Sequence, residues 1–230
     1  MISEQLRLIK QQIADAAKAS GRDPAEVRLV SVSKQIAVDK IREALAAGAD
    51  LLGENKIQEA RDKIAELGRD CAQWHFIGHL QKNKVKYLFD LFHMVHSVDS
   101  LELARAISDK AVQRNTLMPI LLQVNVSGEL SKFGMAPEEL PKVLEAVAEF
   151  KGIQVKGLMT IPPAAPDPEA SRPYFARLRE LRDKYATIAD TISLTELSMG
   201  MTNDFAVAVE EGATLVRVGT AIFGERNATV

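Results

Sequence analysis

The stretch Arg28-Leu29-Val30-Ser31-Val32-Ser33-Lys34 decides how the rest of the chain is read. Its aliphatic and β-branched residues predict a buried strand over 28–34 whose last residue is a primary amine. Outward from it, strand-like and helical runs alternate. Seven more strand candidates follow at 50–54, 74–78, 94–98, 119–126, 154–161, 195–199 and 214–219. Helical patterns fall between them at 38–47, 56–67, 82–89, 101–114, 137–150, 168–185 and 203–210. Ahead of the first strand, Ile2, Leu6, Ile9 and Ile13 recur at helical spacing and predict an amphipathic helix over 1–20.

Local signals agree with these segments. Asp99, with Glu102 three residues on, is expected to cap the fifth helix, and Pro137 and Pro168 suit first-turn positions. Gly48, Gly68, Gly152 and Gly212 stand where helices should stop. Strands alternating with helices argue for a parallel sheet covered by helices. Eight of them in 230 residues predict an α/β fold, a single (β/α)8 TIM barrel over 1–230 with an extra N-terminal helix. A doubly wound open sheet is the competing architecture, because strand count alone does not prove closure.

Composition narrows the setting. A net charge of −2 gives no overall field for nucleic acid or an anionic membrane. Cys71 is the single cysteine, so no intramolecular disulfide is available. Glu4, Arg7, Lys10 and Asp15 interrupt the apolar residues of the first helix, so it does not read as a signal peptide. The expected address is the cytoplasm. Lys82, Lys84 and Lys86 read as a solvated helix face, since no stacking aromatics are interleaved. His75, His79, His93 and His96 lack a cysteine or paired carboxylate to complete a ligand set, so they read as core or loop histidines and no metal is expected.

In such a barrel the C-terminal strand ends gather the active site. Here they offer Lys34, Glu54-Asn55, Gly78-His79, Ser97-Val98-Asp99, Asn125-Val126-Ser127, Met159-Thr160, Ser198-Met199-Gly200 and Arg217-Val218-Gly219-Thr220. Lys34 is either a snorkelling surface lysine or an amine for Schiff-base chemistry. The loops after strands seven and eight are the usual phosphate site of this fold. Gly200 and Gly219 admit close backbone approach, Ser198 and Thr220 supply hydroxyls, and helical turns near Thr202 and from Ala221 aim their N-termini inward. Arg217 shares a strand face with Leu215 and Gly219. It is either a structural ion pair or a donor to a ring nitrogen or acidic ligand group. An amine, a phosphate cradle and a buried arginine together describe a site for pyridoxal 5′-phosphate, the vitamin B6 cofactor. An arginine at the pyridine nitrogen would keep it unprotonated and make the ring a weaker electron sink.

At these residues the sequence resembles the pyridoxal phosphate homeostasis protein family, whose fold is similar to the N-terminal barrel of alanine racemase. The matching segments are Val32-Ser33-Lys34, Gly53-Glu54-Asn55 with Gln58-Glu59, and Trp74-His75-Phe76-Ile77-Gly78 with Leu80-Gln81 and Asn83-Lys84. Further ones are Lys132-Phe133-Gly134, Gly157-Leu158-Met159, Leu197-Ser198-Met199-Gly200-Met201 and the run from Val216 to Gly224. The resemblance implies Lys34 as the Schiff-base lysine, with Ser198, Gly200, Arg217, Gly219 and Thr220 around the cofactor and Asn55 close by. It implies intracellular pyridoxal phosphate homeostasis without an established turnover. Two local differences are Asn203-Asp204, where relatives often carry two acidic residues, and His79, where a proline is also seen.

A racemase needs a second acid/base on the far face of the substrate carbon, a tyrosine that a second domain supplies in alanine racemase. This chain ends at Val230, and Tyr87, Tyr174 and Tyr185 lie on helical segments. The preferred reading is therefore cofactor binding without turnover by a monomer, with enzymes that use the cofactor as partners. A small amino-acid racemase using His79, a Schiff-base aldolase and a binding module without cofactor are the alternatives.

Overall fold

The computed structural model describes residues 1–129 and 131–225. Helix α1 (Ile2–Ala19) precedes β1 (Arg28–Val32), α2 (Val38–Ala46), β2 (Leu51–Glu54), α3 (Ile57–Leu67) and β3 (Gln73–Phe76). A 3-10 turn (Lys82–Tyr87) leads into α4 (Leu88–Leu91), β4 (Met94–Val98), α5 (Leu101–Gln113), β5 (Met118–Gln123), α6 (Leu140–Val147) and β6 (Ile153–Met159). The described chain closes with α7 (Arg172–Tyr185), β7 (Glu196–Ser198), α8 (Phe205–Glu210), β8 (Leu215–Val218) and α9 (Thr220–Phe223).

Every neighbouring strand pair is parallel, and β8 returns to β1 with Val30 opposite Arg217, so the sheet is a closed barrel. This excludes the open sheet. Closure sorts the apolar residues into two clusters. A large one lies between strands and helices, and a small one of Val30, Leu51, Met94, Leu121, Met159 and Leu215 lies among the strands. The remaining buried strand positions include His75, His96, Gln123, Ser198 and Arg217, so part of the barrel interior is polar. On α1, Ile2, Leu6, Ile9 and Ile13 are all buried, and the helix packs against α2, α8 and α9.

Element ends differ from the sequence reading for local reasons. The cap of α5 is Ser100, not Asp99. Its Oγ accepts from the Leu103 amide at 3.3 Å, while Asp99 turns toward His79. Pro137 lies in a turn ahead of α6, whose first turn holds Pro141 instead. The segment 82–89 is mostly 3-10 rather than α-helical. Helix α8 begins at Phe205, two residues later than expected, because 202–204 form a turn. Strand β1 ends at Val32, which moves Lys34 out of the strand and into a turn.

Candidate functional site

Lys34 is held by its neighbours in sequence. Ser33 still pairs across to β2, its amide donating to the Gly53 carbonyl at 3.0 Å, and the chain then turns with Gln35 at a φ of +60°. That conformation is uncommon for a residue with a Cβ and needs support. Support comes from a buried charge cluster. The Lys63 ammonium donates to the Ser33 carbonyl at 2.6 Å, to Glu54 Oε1 at 2.8 Å and to Glu59 Oε1 at 2.6 Å. Its three protons thus have three acceptors. Ser33 Oγ donates to the same Glu54 oxygen at 2.7 Å, and the Gln35 amide donates to Glu59. Burial pushes the Glu54 carboxyl above its usual range, and the Lys63 charge opposes that push. Both residues flanking Lys34 are therefore tied down, and Lys34 itself is half-buried in the wall of a cleft.

On β8, the strand next to β1, Arg217 lies opposite Val30 with its guanidinium enclosed. Nη1 donates to Ser198 Oγ at 2.6 Å and Nη2 to the Thr160 carbonyl at 2.9 Å. Among the described residues no carboxylate is within ion-pairing distance, so the structural ion pair weighed above does not form. Burial lowers the Arg217 pKa to about 10, and the charge of Asp204 works against that shift. Ser198 also meets His96 Nδ1 at 2.9 Å, and His96 Nε2 meets His75 Nδ1 at 2.8 Å. Arginine only donates, so the Ser198 hydroxyl can pass its own proton to His96 Nδ1. His96 then carries its hydrogen on Nε2 and donates to His75 Nδ1, which places the His75 hydrogen on Nε2. Burial, aided by nearby positive charge, lowers His75 to about 3 and His96 well below the ordinary value, so both imidazoles are neutral at pH 7.

The loops after β7 and β8 complete the cleft. Gly200 adopts a φ of +90°, and a Cβ there would lie 2.5 Å from the Ala208 Cβ. The glycine is required by close packing on α8 and by its left-handed backbone. The Met201 amide donates to Asp204 Oδ1 at 2.7 Å, and Asp204 Oδ2 accepts from Ser171 Oγ at 2.8 Å. That amide is thus engaged by the protein's own carboxylate.

The cleft encloses about 520 Å³. Of the residues expected from sequence, Lys34, Asn55, Arg217, Gly219 and Thr220 line it together, joined by Thr202. Ser198 is fully buried beneath, with its hydroxyl shared between Arg217 and His96, and Gly200 lies behind the wall, its carbonyl accepting from the Arg217 amide. At the mouth Phe133 stacks on His79 with ring centroids 4.0 Å apart, and His79 Nδ1 lies 3.4 Å from Asp99 Oδ2. Lys63, Asp204 and the His75–His96 pair were not expected as site residues. Lys63 carried a signal in its i,i+4 spacing from Glu59, and Asp204 one as a departure from the family pattern. Among the described residues no group of three or more His, Cys, Asp or Glu side chains is placed to hold a metal ion, and no helix is long and apolar enough to cross a membrane.

The family described as "Alanine racemase, N-terminal domain" matches residues 5–227. A protein of Pseudomonas aeruginosa named "Pyridoxal phosphate homeostasis protein" is 45% identical over 226 residues, covering 98% of this chain and 96% of its own length. One of the same name from Aquifex aeolicus is 44% identical over 223 residues, covering 97% of each chain. The chain belongs to the pyridoxal phosphate homeostasis protein family. Among solved structures, PipY of Synechococcus elongatus PCC7942 without PLP is 37% identical, with a TM-score of 0.88 over 97% of this chain and all of that one. The same protein "with PLP bound" has a TM-score of 0.86 over the same shares. Family membership and the barrel geometry thus agree along nearly the whole chain.

Proposed function

We propose that this chain binds pyridoxal 5′-phosphate in the cleft at the C-terminal strand ends and serves its homeostasis, holding the cofactor on Lys34 without turning over a substrate. The observation that carries this reading is the pairing of one amine with one uncompensated guanidinium across a single cleft. A buried cation whose hydrogen bonds go only to a hydroxyl and a carbonyl is costly unless an acceptor completes it. A ring nitrogen or an anionic group supplies one, so the residues fit the cofactor.

When bound, pyridoxal phosphate supplies an aldehyde and a conjugated ring that can take up electrons. Lys34 provides the amine for the aldehyde carbon, and the turn fixed by Lys63, Glu54 and Glu59 keeps that amine at the cleft wall. Arg217 presents its remaining donors to the ring nitrogen and keeps a proton off it, because two adjacent positive charges repel. Gly219, Thr220 and Thr202 take the phosphate, Gly200 shaping the loop from behind the wall, while Ser198 acts from behind by orienting Arg217. Asn55, whose Oδ1 is buried without a hydrogen-bond partner, is free to meet the ring substituents.

On this reading the protein acts in the cytoplasm as a monomer that exchanges cofactor with enzymes that need it. Among the described residues the exposed large apolar side chains are Met1, Leu8, Tyr87, Val112, Leu117 and Phe133, spread over several segments of the chain. A small racemase is the second reading, favoured only by His79 beside Asp99 at the cleft mouth. Amino-acid turnover by pure protein that disappears in both Lys34→Ala and His79→Ala would establish that alternative. The function is tested by titrating cofactor-free protein with pyridoxal phosphate. Stoichiometric uptake with a visible absorbance band supports it, and no saturable uptake refutes it.

A further inference from the structure

A second cavity of about 310 Å³ lies between α3 and the 3-10 turn, and it shares Asn55 and His79 with the cofactor cleft as a common wall. Its volume is at the lower end of small-molecule sites, which run from about 300 to 1,000 Å³. Phe76 and Leu80 give it an apolar, buried floor, and Tyr87 adds an aromatic side. Lys56, Arg61 and Lys84 stand around it, and no acidic residue lines it. Arg61 pairs only with its exposed neighbour Asp62, and among the described residues Lys56 and Lys84 form no ion pair.

Backbone polarity adds to that charge. The first turn of α3 borders the cavity through Ile57 and Gln58, and no side chain caps this helix. Glu59, the one acidic residue of that turn, is drawn away to Lys63 and the Gln35 amide. Free amides and the positive end of an eleven-residue helix therefore face the same space as three cations.

We propose that this cavity is a binding site for a small organic carboxylate with a compact apolar or aromatic body. The carboxylate meets the α3 amides with Lys56, Arg61 and Lys84, and the body rests on Phe76, Leu80 and Tyr87. The site is separate from the cofactor cleft and needs neither Lys34 nor the cofactor.

The experiment follows backbone amide shifts of the full chain by NMR during titration with benzoate, benzamide and inorganic phosphate. Benzoate is expected to saturate in the millimolar range and to shift the amides of Ile57, Gln58, Leu80 and Lys84. Benzamide and phosphate are expected to bind about tenfold more weakly or worse, one lacking the charge and the other the body. Arg61→Glu with Lys84→Glu is expected to weaken benzoate by about tenfold or more. Both positions are exposed, and the visible band of cofactor-loaded protein should stay unchanged. Cofactor-free Lys34→Ala protein should bind benzoate as the wild type does, so failure of the cofactor reading and failure of this one give different results. Equal binding of benzamide or of phosphate, unchanged benzoate binding by the charge-reversed variant, or shifts confined to Gly219 and Thr220 would each overturn the proposal.

Discussion

Arg217 donates to Ser198 over 2.6 Å at the centre of the barrel, and Ser198 in turn meets His96, so a cleft-lining cation is positioned by a row of neutral groups. Neutral partners fix the direction of the guanidinium without cancelling its charge. The charge remains available to whatever enters the cleft. Ser198→Ala should therefore act on binding as well as on the fold. It leaves Arg217 Nη1 and His96 Nδ1 short of a partner, a loss of about 1–3 kcal/mol in unfolding free energy. Cofactor affinity by spectral titration should fall by about tenfold, because a freed guanidinium no longer points one way.

The two buried histidines give the fold a dependence on pH. His75 titrates at about 3 in the folded chain against an ordinary value of 6.5, and His96 is lowered in the same direction. Between those values the unfolded chain binds protons that the folded chain refuses, so stability rises with pH through this window. It is fully present above 6.5 and lost as pH falls toward 3. Each histidine contributes a slope of up to about 1.4 kcal/mol per pH unit. Urea unfolding at pH 7 and pH 5 should show the drop, and His96→Phe should flatten it whatever its effect at neutral pH. An unchanged slope in that variant would contradict the assignment.

Removing the ammonium under the Lys34 turn should be severe. Lys63→Met leaves Glu54 buried without its counter-ion and should cost about 3–5 kcal/mol in denaturant unfolding. Glu54→Leu added to it should restore much of that stability, because an apolar pair replaces a broken ionic one. The double variant should still bind the cofactor more weakly than the wild type, since the Ser33 carbonyl and Glu59 remain unanchored.

Gly200→Ala should separate strain from crowding. A left-handed backbone with a Cβ costs about 1–2 kcal/mol, and the 2.5 Å approach to Ala208 adds to it. Ala208→Gly in the same chain should relieve the contact with Ala208 and leave the backbone cost and the 3.0 Å approach to the Phe205 Cα, read from thermal unfolding against Ala208→Gly alone. Full recovery would show that the positive φ costs nothing here.

The predicted strand ends placed Lys34, Asn55, Arg217, Gly219 and Thr220 at one end of the barrel, because where a strand stops is largely a local property. What lies opposite a residue across a closed barrel is not local. His75 and His96 sit 21 residues apart, and His96 and Ser198 102 apart, so their hydrogen bonds depend on closure and register. Asp204 was legible only as a departure from a pattern, although it engages the Met201 amide and moderates Arg217. Lys63 reads in sequence as an ordinary i,i+4 partner of Glu59, and its bonds to Glu54 and to the Ser33 carbonyl appear only once α3 packs on β2. Segment ends slipped where turn geometry decided them, as at Ser100 and Pro141.

The most direct measurement of the central claim is the absorbance spectrum of wild-type protein against Lys34→Ala, each mixed with pyridoxal phosphate, followed by borohydride reduction and peptide mapping. The account predicts a visible band in the wild type alone and a reduced adduct whose mass sits on Lys34. A band that survives in Lys34→Ala, or an adduct mapped to another lysine, would contradict it.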